Sequence, residues 1–356
     1  MARLERPEEI ISQYLKPAIA QLGAVKQGSE AGRVFYEFAS FCDQQLQNSG
    51  NAEDFRRLER LSQRRAAEVE QLSSMVRSTP SSQKENKRSL RIAEGRARQW
   101  FNLDNEEYLK AKNSRDDFVR QSLENYLRAL QACDDFNPSV VRFFALWLEH
   151  ADSSPANDAV QHVLQKVPSW KFVGLTNQLT SRLLEDGSGF QKTLSALVVR
   201  MCVGHPYHMV HTIYAGASSS VSATDETGNL RKNAATKIKK HIREHNVVGD
   251  LVSRIWQSCH AYVKLAQAKI GPPARNQKLT VQNVKIATEV EKIIRVLNVP
   301  PATLHLDLRP GLDYHDVPLV SRFRQEIKIA GGLSAPKILV AVGTDGKDYR
   351  QLVSSD

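Results

Sequence analysis

The chain has 356 residues, 41% of them hydrophobic and 25% charged, enough for two or three domains with a sizeable core. No apolar run reaches the roughly eighteen residues that mark a membrane-spanning helix, and the opening "MARLERPEEIISQYLKPAIAQL" carries charge in its first turns and lacks the long apolar stretch of a secretory leader. The formal charge of +10 leaves nucleic acid or an acidic partner open. Cys42, Cys133, Cys202 and Cys259 lie far apart without a Cys-x-x-Cys pair, and they read as buried free thiols of a reducing compartment.

In chain order, Glu53 to Val76 reads as a long charged helix with Phe55, Leu58, Leu61, Val69, Leu72 and Met75 on its apolar side. "RSTPSSQKENKR", Arg77 to Arg88, reads as a polar, flexible connector, and Trp100 to Cys133 as one or two further helices. "NPSVVRFFALWLEH" begins with a turn at Asn137-Pro138 and is apolar around much of its circumference, which predicts a helix buried on several sides. In "FVGLTNQLTSRLL", Phe172, Leu175, Leu179 and Leu183 recur at helical spacing, with Ser169 as the expected cap and Gly187 at the stop. Phe190, Leu194, Leu197, Val198 and Met201 repeat the pattern after a short "EDGSG" link, which predicts an antiparallel helical hairpin. "AGASSSVSATDETGNLRKN" interrupts the rhythm and reads as mobile. Helices resume over Ala234 to Ile270, broken near Val248-Gly249. Gly271-Pro272-Pro273 turns the chain, and Lys278 to Leu297 gives a last helix.

After Pro301 the texture changes. "ATLHLDLRP" alternates Leu304, Leu306 and Leu308 with His305, Asp307 and Arg309, which is strand periodicity. "LVSRFRQEIKIAGG" suits another strand, and "KILVAVGTDGKDYRQLV" suits a hairpin with Asp345-Gly346 in its turn. The fold class expected is therefore mainly α, an irregular α-solenoid of helical hairpins followed by a small β-rich element. A lone hairpin is marginal in water, so residues beyond about 300 are expected to be ordered only where they dock on the helices.

Few residues suggest chemistry. His205, His208 and His211 lie three apart, a spacing that puts neighbouring ligands on one helix face. No carboxylate stands nearby to complete a tetrahedral shell, and Pro206 places His205 at the helix start. Imidazoles bonded to backbone groups in a packed helix start are the preferred reading. His241 and His245 lack the Glu of a zinc-protease helix. Asp116-Asp117 and Asp134-Asp135 read as solvated carboxylates, and there is no Gly-x-Ser-x-Gly elbow. Two basic stretches stand out: Lys84 to Arg98, and Arg231 to Arg243, which has six Lys or Arg and no acid. Neither is interleaved with stacking aromatics, so solvated helix faces are preferred to a nucleic-acid contact. What remains is "GTDG", Gly343 to Gly346, whose small residues permit close approach of backbone to phosphate.

That turn sits in a wider context. Ala330-Gly331-Gly332, Pro336-Lys337, Gly343-Thr344-Asp345-Gly346 and Gln351-Leu352-Val353 resemble, in order, the start of the catalytic domain of the phosphatidylinositol-3-kinase-related protein kinases. "GRVFYEFASFCDQQLQN", "SVVRFFALWLEHAD", "VPSWKFVGLTNQLTSRL" and "HPYHMVHTIYAG" resemble the FAT domain that precedes that kinase, most closely in the ATM/Tel branch of filamentous fungi. The resemblance implies a FAT-type helical array over 1–220, a flexible linker over 221–233, closing helices over 234–299 and an incomplete kinase N-lobe over 300–356. It implies that Gly343, Thr344, Asp345 and Gly346 cover the ATP phosphates in an intact kinase, with ATP and Mg as cofactors there, but no catalytic or metal-binding residue and no cofactor for this chain. The family has a phosphate-contacting lysine after Gln-Leu-Val, where this chain has Ser354. The catalytic and activation segments that phosphoryl transfer needs belong beyond this point. The chain is thus expected to be an inactive slice of a longer, nuclear serine/threonine kinase of DNA-damage signalling and telomere maintenance. Its expected partners are the rest of the kinase domain, a second copy of the intact protein and DNA-break sensor proteins, with no membrane. A stand-alone helical scaffold and a basic nucleic-acid module around Arg231 to Arg243 are the alternatives.

Overall fold

The computed structural model describes residues 5–24, 26–271, 278–330 and 335–355, so the turn expected at Pro272-Pro273 and the Gly331-Gly332 pair lie outside the described residues. The chain divides into two units, Met1–Val167 and Pro168–Asp356.

In the first unit, α1 (Pro7–Ile10) passes through a π turn, Ile11–Leu15, into α2 (Lys16–Gln21). Pro17, one residue into α2, has no N–H for the α-helical ladder, and the wider turn before it accommodates that loss. α3 (Ser29–Gln47) buries Ala31, Phe35, Phe38, Ala39, Cys42 and Leu46, one face at helical spacing. α4 (Ser49–Ser78) starts where Asn48 accepts a hydrogen bond from the Asn51 amide, and it pairs with α5 (Lys84–Ala132). The expected connector shrinks to residues 79–83. Arg77 and Ser78 finish α4, and Lys84 to Arg88 open α5, whose 49 residues run without a break. Good helix formers at 84–98 override the charge that suggested a loop. The seam between α4 and α5 is stitched by polar pairs, Ser62 to Asn105, Arg65 to Asp104 and Ser73 to Glu94.

The second half of α5 is different. Phe118, Val119, Leu123, Tyr126, Leu127 and Leu130 are buried among α3, α6 (Ser139–Glu149) and α7 (Ser154–Leu164). Phe143 and Trp147 of α6 are fully enclosed, as its all-round apolar sequence predicts. One charged cluster enters this core. Asp43 accepts from both Arg142 nitrogens at 2.7 and 2.6 Å, from Tyr126 Oη at 3.0 Å and from Gln47 at 2.9 Å. Burial alone would raise the Asp43 carboxyl, but these donors hold it below its ordinary value, with Arg142 first among them.

The second unit begins with a 3₁₀ turn, Ser169–Leu175, and the short α8 (Thr176–Thr180), where one longer helix was expected. Phe172, Leu175, Leu179 and Leu183 are still buried. Gly174 weakens helical propensity, and residue 168, not Ser169, occupies the cap position as a proline. Gly187 takes φ +74° and Ser188 then caps α9 (Gly189–Gly204), which buries Phe190, Leu194, Leu197, Val198 and Met201 as expected. α10 (Pro206–Ser218) follows, then α11 (Glu226–Arg243), α12 (Gly249–Gln267) and α13 (Lys285–Leu297).

Residues 226–233, expected within the flexible linker, are helical. Asp225 accepts from the Gly228 amide at 2.9 Å and starts α11 there. The last helix starts at Lys285 instead of Lys278, because Thr280 pairs with Glu326 across a β-bridge.

β1 (Val320–Phe323), β2 (Lys328–Ile329), β3 (Lys337–Gly343) and β4 (Asp348–Val353) form one antiparallel sheet. β3 is central, with β1 and β2 on one edge and β4 on the other, in the register Lys337↔Val353 to Val342↔Asp348. Leu304, Leu306 and Leu308 are half-buried and alternate with exposed His305 and Asp307, but among the described residues no strand pairs with them. The periodicity is real; the expected strand is not there.

Candidate functional site

The Gly343–Gly346 turn closes the β3–β4 hairpin. Gly346 has φ +76° and its amide donates to Gly343 O at 3.0 Å, while the Gly343 amide donates to Lys347 O at 2.9 Å. A left-handed φ favours glycine at 346. At 343 the constraint is space, since a Cβ would stand 2.9 Å from the Tyr349 ring. Thr344 pins the turn to the residue before β1. Its amide donates to Leu319 O at 2.8 Å, and its Oγ1 accepts from the Leu319 amide at 3.1 Å. Asp345 accepts from Tyr349 Oη at 2.8 Å and from the Lys347 amide at 3.1 Å. Tyr349 is the main reason that the Asp345 carboxyl lies below its ordinary value, so the tip carries a negative charge at neutral pH. The amides of Gly343, Thr344, Gly346 and Lys347 all donate within the protein in this conformation.

The base of the hairpin is fixed to the helices of the same unit. Lys337 is 4% exposed, and its Nζ donates to Ala266 O at 2.5 Å, in the last turn of α12. The ammonium meets the negative end of the helix dipole and satisfies a carbonyl that helical bonding leaves over. On the other edge, the Phe323 amide donates to Glu291 of α13 at 2.9 Å, and the Val320 amide to Val299 O at 2.9 Å. The sheet is thus docked, which meets the condition set for order beyond residue 300. The sequence marked Lys337 only as part of a motif.

The histidines pack around the start of α10, but among the described contacts His208 alone meets a backbone group, as expected, while His205 and His211 meet side chains. His205, wholly buried, shares its Nδ1 with Tyr314 Oη at 2.9 Å, and His208 Nε2 contacts Leu306 O at 3.0 Å. Burial lowers the His205 pKa to about 4, with His208 adding to the effect. His211 faces Cys259 Sγ at 3.5 Å instead of its neighbours. No group of three potential metal ligands exists among the described residues. Burial raises the Cys42 and Cys202 thiols to about 12 and Cys259 to about 11, which leaves them un-ionised. In the basic stretch of α11, Ala234, Ala235, Ile238 and Ile242 form the buried stripe. Lys237 pairs with Glu185, and Lys239 lies 4.8 and 5.4 Å from the Tyr214 and Trp256 rings.

Paired helices thus lead into an antiparallel sheet with a glycine-tipped hairpin, and the comparisons with known proteins say which class of protein has that arrangement. No family model matches the chain. Curated relatives do: it is 39% identical over 352 residues to the serine/threonine-protein kinase tel1 of Emericella nidulans, and 38% over 358 residues to that of Neurospora crassa. Each match covers 99% of this chain and 12% of the relative. Among solved structures, the open conformation of CtTel1 matches with a TM-score of 0.88 at 38% identity, over 99% of this chain and 13% of that one. The FAT and kinase domain of CtTel1 matches at 0.85 and 38%, over 99% and 23%. A CtTel1 dimer with C2 symmetry matches at 0.86 and 37%, over 99% and 12%. The chain belongs to the ATM/Tel branch of the phosphatidylinositol-3-kinase-related kinases and spans about 12% of the length of the curated relatives it matches.

Proposed function

We propose that this chain serves as the helical cradle and phosphate hairpin of a Tel1-type serine/threonine kinase. The observation that carries the reading is the alignment of 99% of the chain, at 38% identity, with the FAT and kinase domain of CtTel1. The division proposed is a FAT-type array over 1–220, a connecting stretch that includes the start of α11, closing helices to 299, and the first part of the kinase N-lobe from 300. Gly343, Thr344, Asp345 and Gly346 cover the phosphates of ATP-Mg in the intact kinase. This requires the turn to reopen, because three of its amides, and that of Lys347 beside it, donate internally in the closed form. Cation charge for those phosphates comes from outside this turn, since Ser354 stands where the family has its lysine.

The intact protein works as a homodimer in the nucleus, in DNA-damage and telomere signalling, recruited by DNA-break sensor proteins. Phosphoryl transfer to serine or threonine belongs to that whole assembly. A chimera tests the reading: residues 5–353 replace the matching segment of the Neurospora crassa kinase. Peptide phosphorylation near the parent rate supports the cradle role. A folded, dimeric chimera without activity, although it keeps the parent's own residue at the position of Ser354, overturns it.

A further inference from the structure

We infer that the groove lined by α10, α11, α12 and α13 docks an acidic peptide that carries an apolar side chain among its carboxylates. The groove has a volume of about 680 Å³, within the size range of ligand sites. Lys239 and Arg243 of α11 line it, and so do His260 and Lys264 of α12. Each pair is spaced i,i+4, so its members share a helix face. Lys239 and Arg243 repel at that spacing, and a bound anion relieves the repulsion. Among the described residues no carboxylate lines the groove. On the adjoining turns Asp250 pairs with Arg254, Glu291 accepts from the Phe323 amide, and Glu244 and Glu289 stay outside the lining. The sequence that follows α12, Pro272 to Gln277, contains no acid either.

Lys239 is held ready for an anion. Its Nζ lies 4.8 Å from the Tyr214 ring centre and 5.4 Å from that of Trp256, and the Trp256 indole is anchored by donating to Val210 O at 3.0 Å. A cation fixed before binding loses little freedom when a carboxylate arrives. The ammonium takes the ring faces that it approaches, and Trp256 is only 5% exposed, so a nucleotide base finds little to stack on. Arg243 and Lys264 are exposed and free to close over an occupant. The groove also has an apolar part. Ala261 and Ile293 line it, and Ile293 and Val296, one turn further along α13, are 41% and 80% exposed. Bare phosphate has nothing to place there, whereas a leucine side chain gains by covering such surface. Clustered cations beside an apolar surface match an acidic segment with an apolar anchor. The site needs nothing from the kinase reading.

The probes are peptide amides labelled with a zwitterionic rhodamine and followed by fluorescence anisotropy with the full chain at about 50 mM salt. Glu-Glu-Leu-Glu-Glu is expected to bind at one saturable site and to weaken as salt is raised. Gln-Gln-Leu-Gln-Gln is expected to bind at least about tenfold more weakly, and Glu-Glu-Ser-Glu-Glu about fivefold. Arg243→Gln together with Lys264→Gln should weaken the leucine peptide about tenfold. Ile293→Ser should bring that peptide down to the level of the serine peptide and leave the serine peptide unchanged. Lys84→Gln together with Arg91→Gln, in the basic stretch of the first unit, should change nothing. The proposal is overturned by no saturable binding up to about 1 mM, by equal binding of the leucine peptide and either comparison peptide, or by an unchanged affinity in the Arg243 and Lys264 variant. It is also overturned by an equal loss in the Lys84 and Arg91 control, or if tripolyphosphate or an oligothymidylate displaces the probe at lower concentration than the unlabelled peptide does. Should the Arg243 and Lys264 variant not fold, Ile293→Ser and the peptide series decide.

Discussion

Gly346 and His205 show how differently single residues announce themselves. The glycine was visible because Asp-Gly between alternating apolar runs is a turn signal, and φ +76° confirms what that residue is for. Gly346→Ala is expected to destabilise the second unit by about 1 kcal/mol or more, seen as a lower urea midpoint and faster amide exchange over 337–353. His205 was visible only as one of three spaced histidines. Its partner Tyr314 is 109 residues away, a distance no local pattern spans. Its folded pKa of about 4 lies below the ordinary 6.5, so folding favours neutral imidazole. The stability that this group contributes is full above pH 6.5 and is lost as pH falls toward 4. Linkage gives a loss on the order of 2–3 kcal/mol by pH 4.5. Urea unfolding of the second unit at pH 7.5 and 4.5 should show that drop, and His205→Asn should remove most of it; equal drops in both proteins would refute the assignment.

Elements were legible where one face alone is buried and illegible where the environment chose the backbone. The apolar positions of α9 and the break between α11 and α12 followed from periodicity, since those helices bury one stripe each. Residues 302–310 have the alternation of a strand, but a strand needs a neighbour's backbone. Here Leu306 O meets His208 instead. The start of α11 was missed because Ser, Thr, Asp and Gly signal both loops and caps, and Asp225 turned out to be a cap. Lys337 couples two elements, β3 and the C-terminus of α12, through one bond to Ala266 O. Lys337→Met keeps length and burial but strips the donor, and a cost of about 1–3 kcal/mol is expected from the unmatched carbonyl. Amide exchange over 337–343 should accelerate while α3 and α5 stay unchanged, and Lys337→Arg should restore part of the protection. Unaltered exchange in Lys337→Met would show that the sheet is held by its other edge, through Glu291 and Val299.

At the scale of the whole chain, the question is whether a docked hairpin suffices to hold a nucleotide. Its tip offers little to a triphosphate. The amides of Gly343, Thr344, Gly346 and Lys347 already donate to protein acceptors. The ionised Asp345 repels phosphate, and the exposed Lys347 beside it is already drawn to that carboxylate at 4.0 Å. Opening the turn would break several of these bonds, each worth roughly 1 kcal/mol, for an anion whose one neighbouring cation in the hairpin, Lys347, is solvent-exposed. Binding that selects the native state stabilises it by RT ln(1 + [L]/Kd), so about 1 mM ATP-Mg acting on a site weaker than about 10 mM adds less than about 0.1 kcal/mol. The thermal transition of the chain should therefore be unmoved by ATP-Mg, within the scatter seen with Mg alone. Ser354→Lys alone should not restore a shift, because the closed turn still withholds its amides. A clear ATP-dependent rise in the unaltered chain would mean that the turn opens at little cost, and that the phosphate grip resides in this hairpin without help from the rest of the kinase.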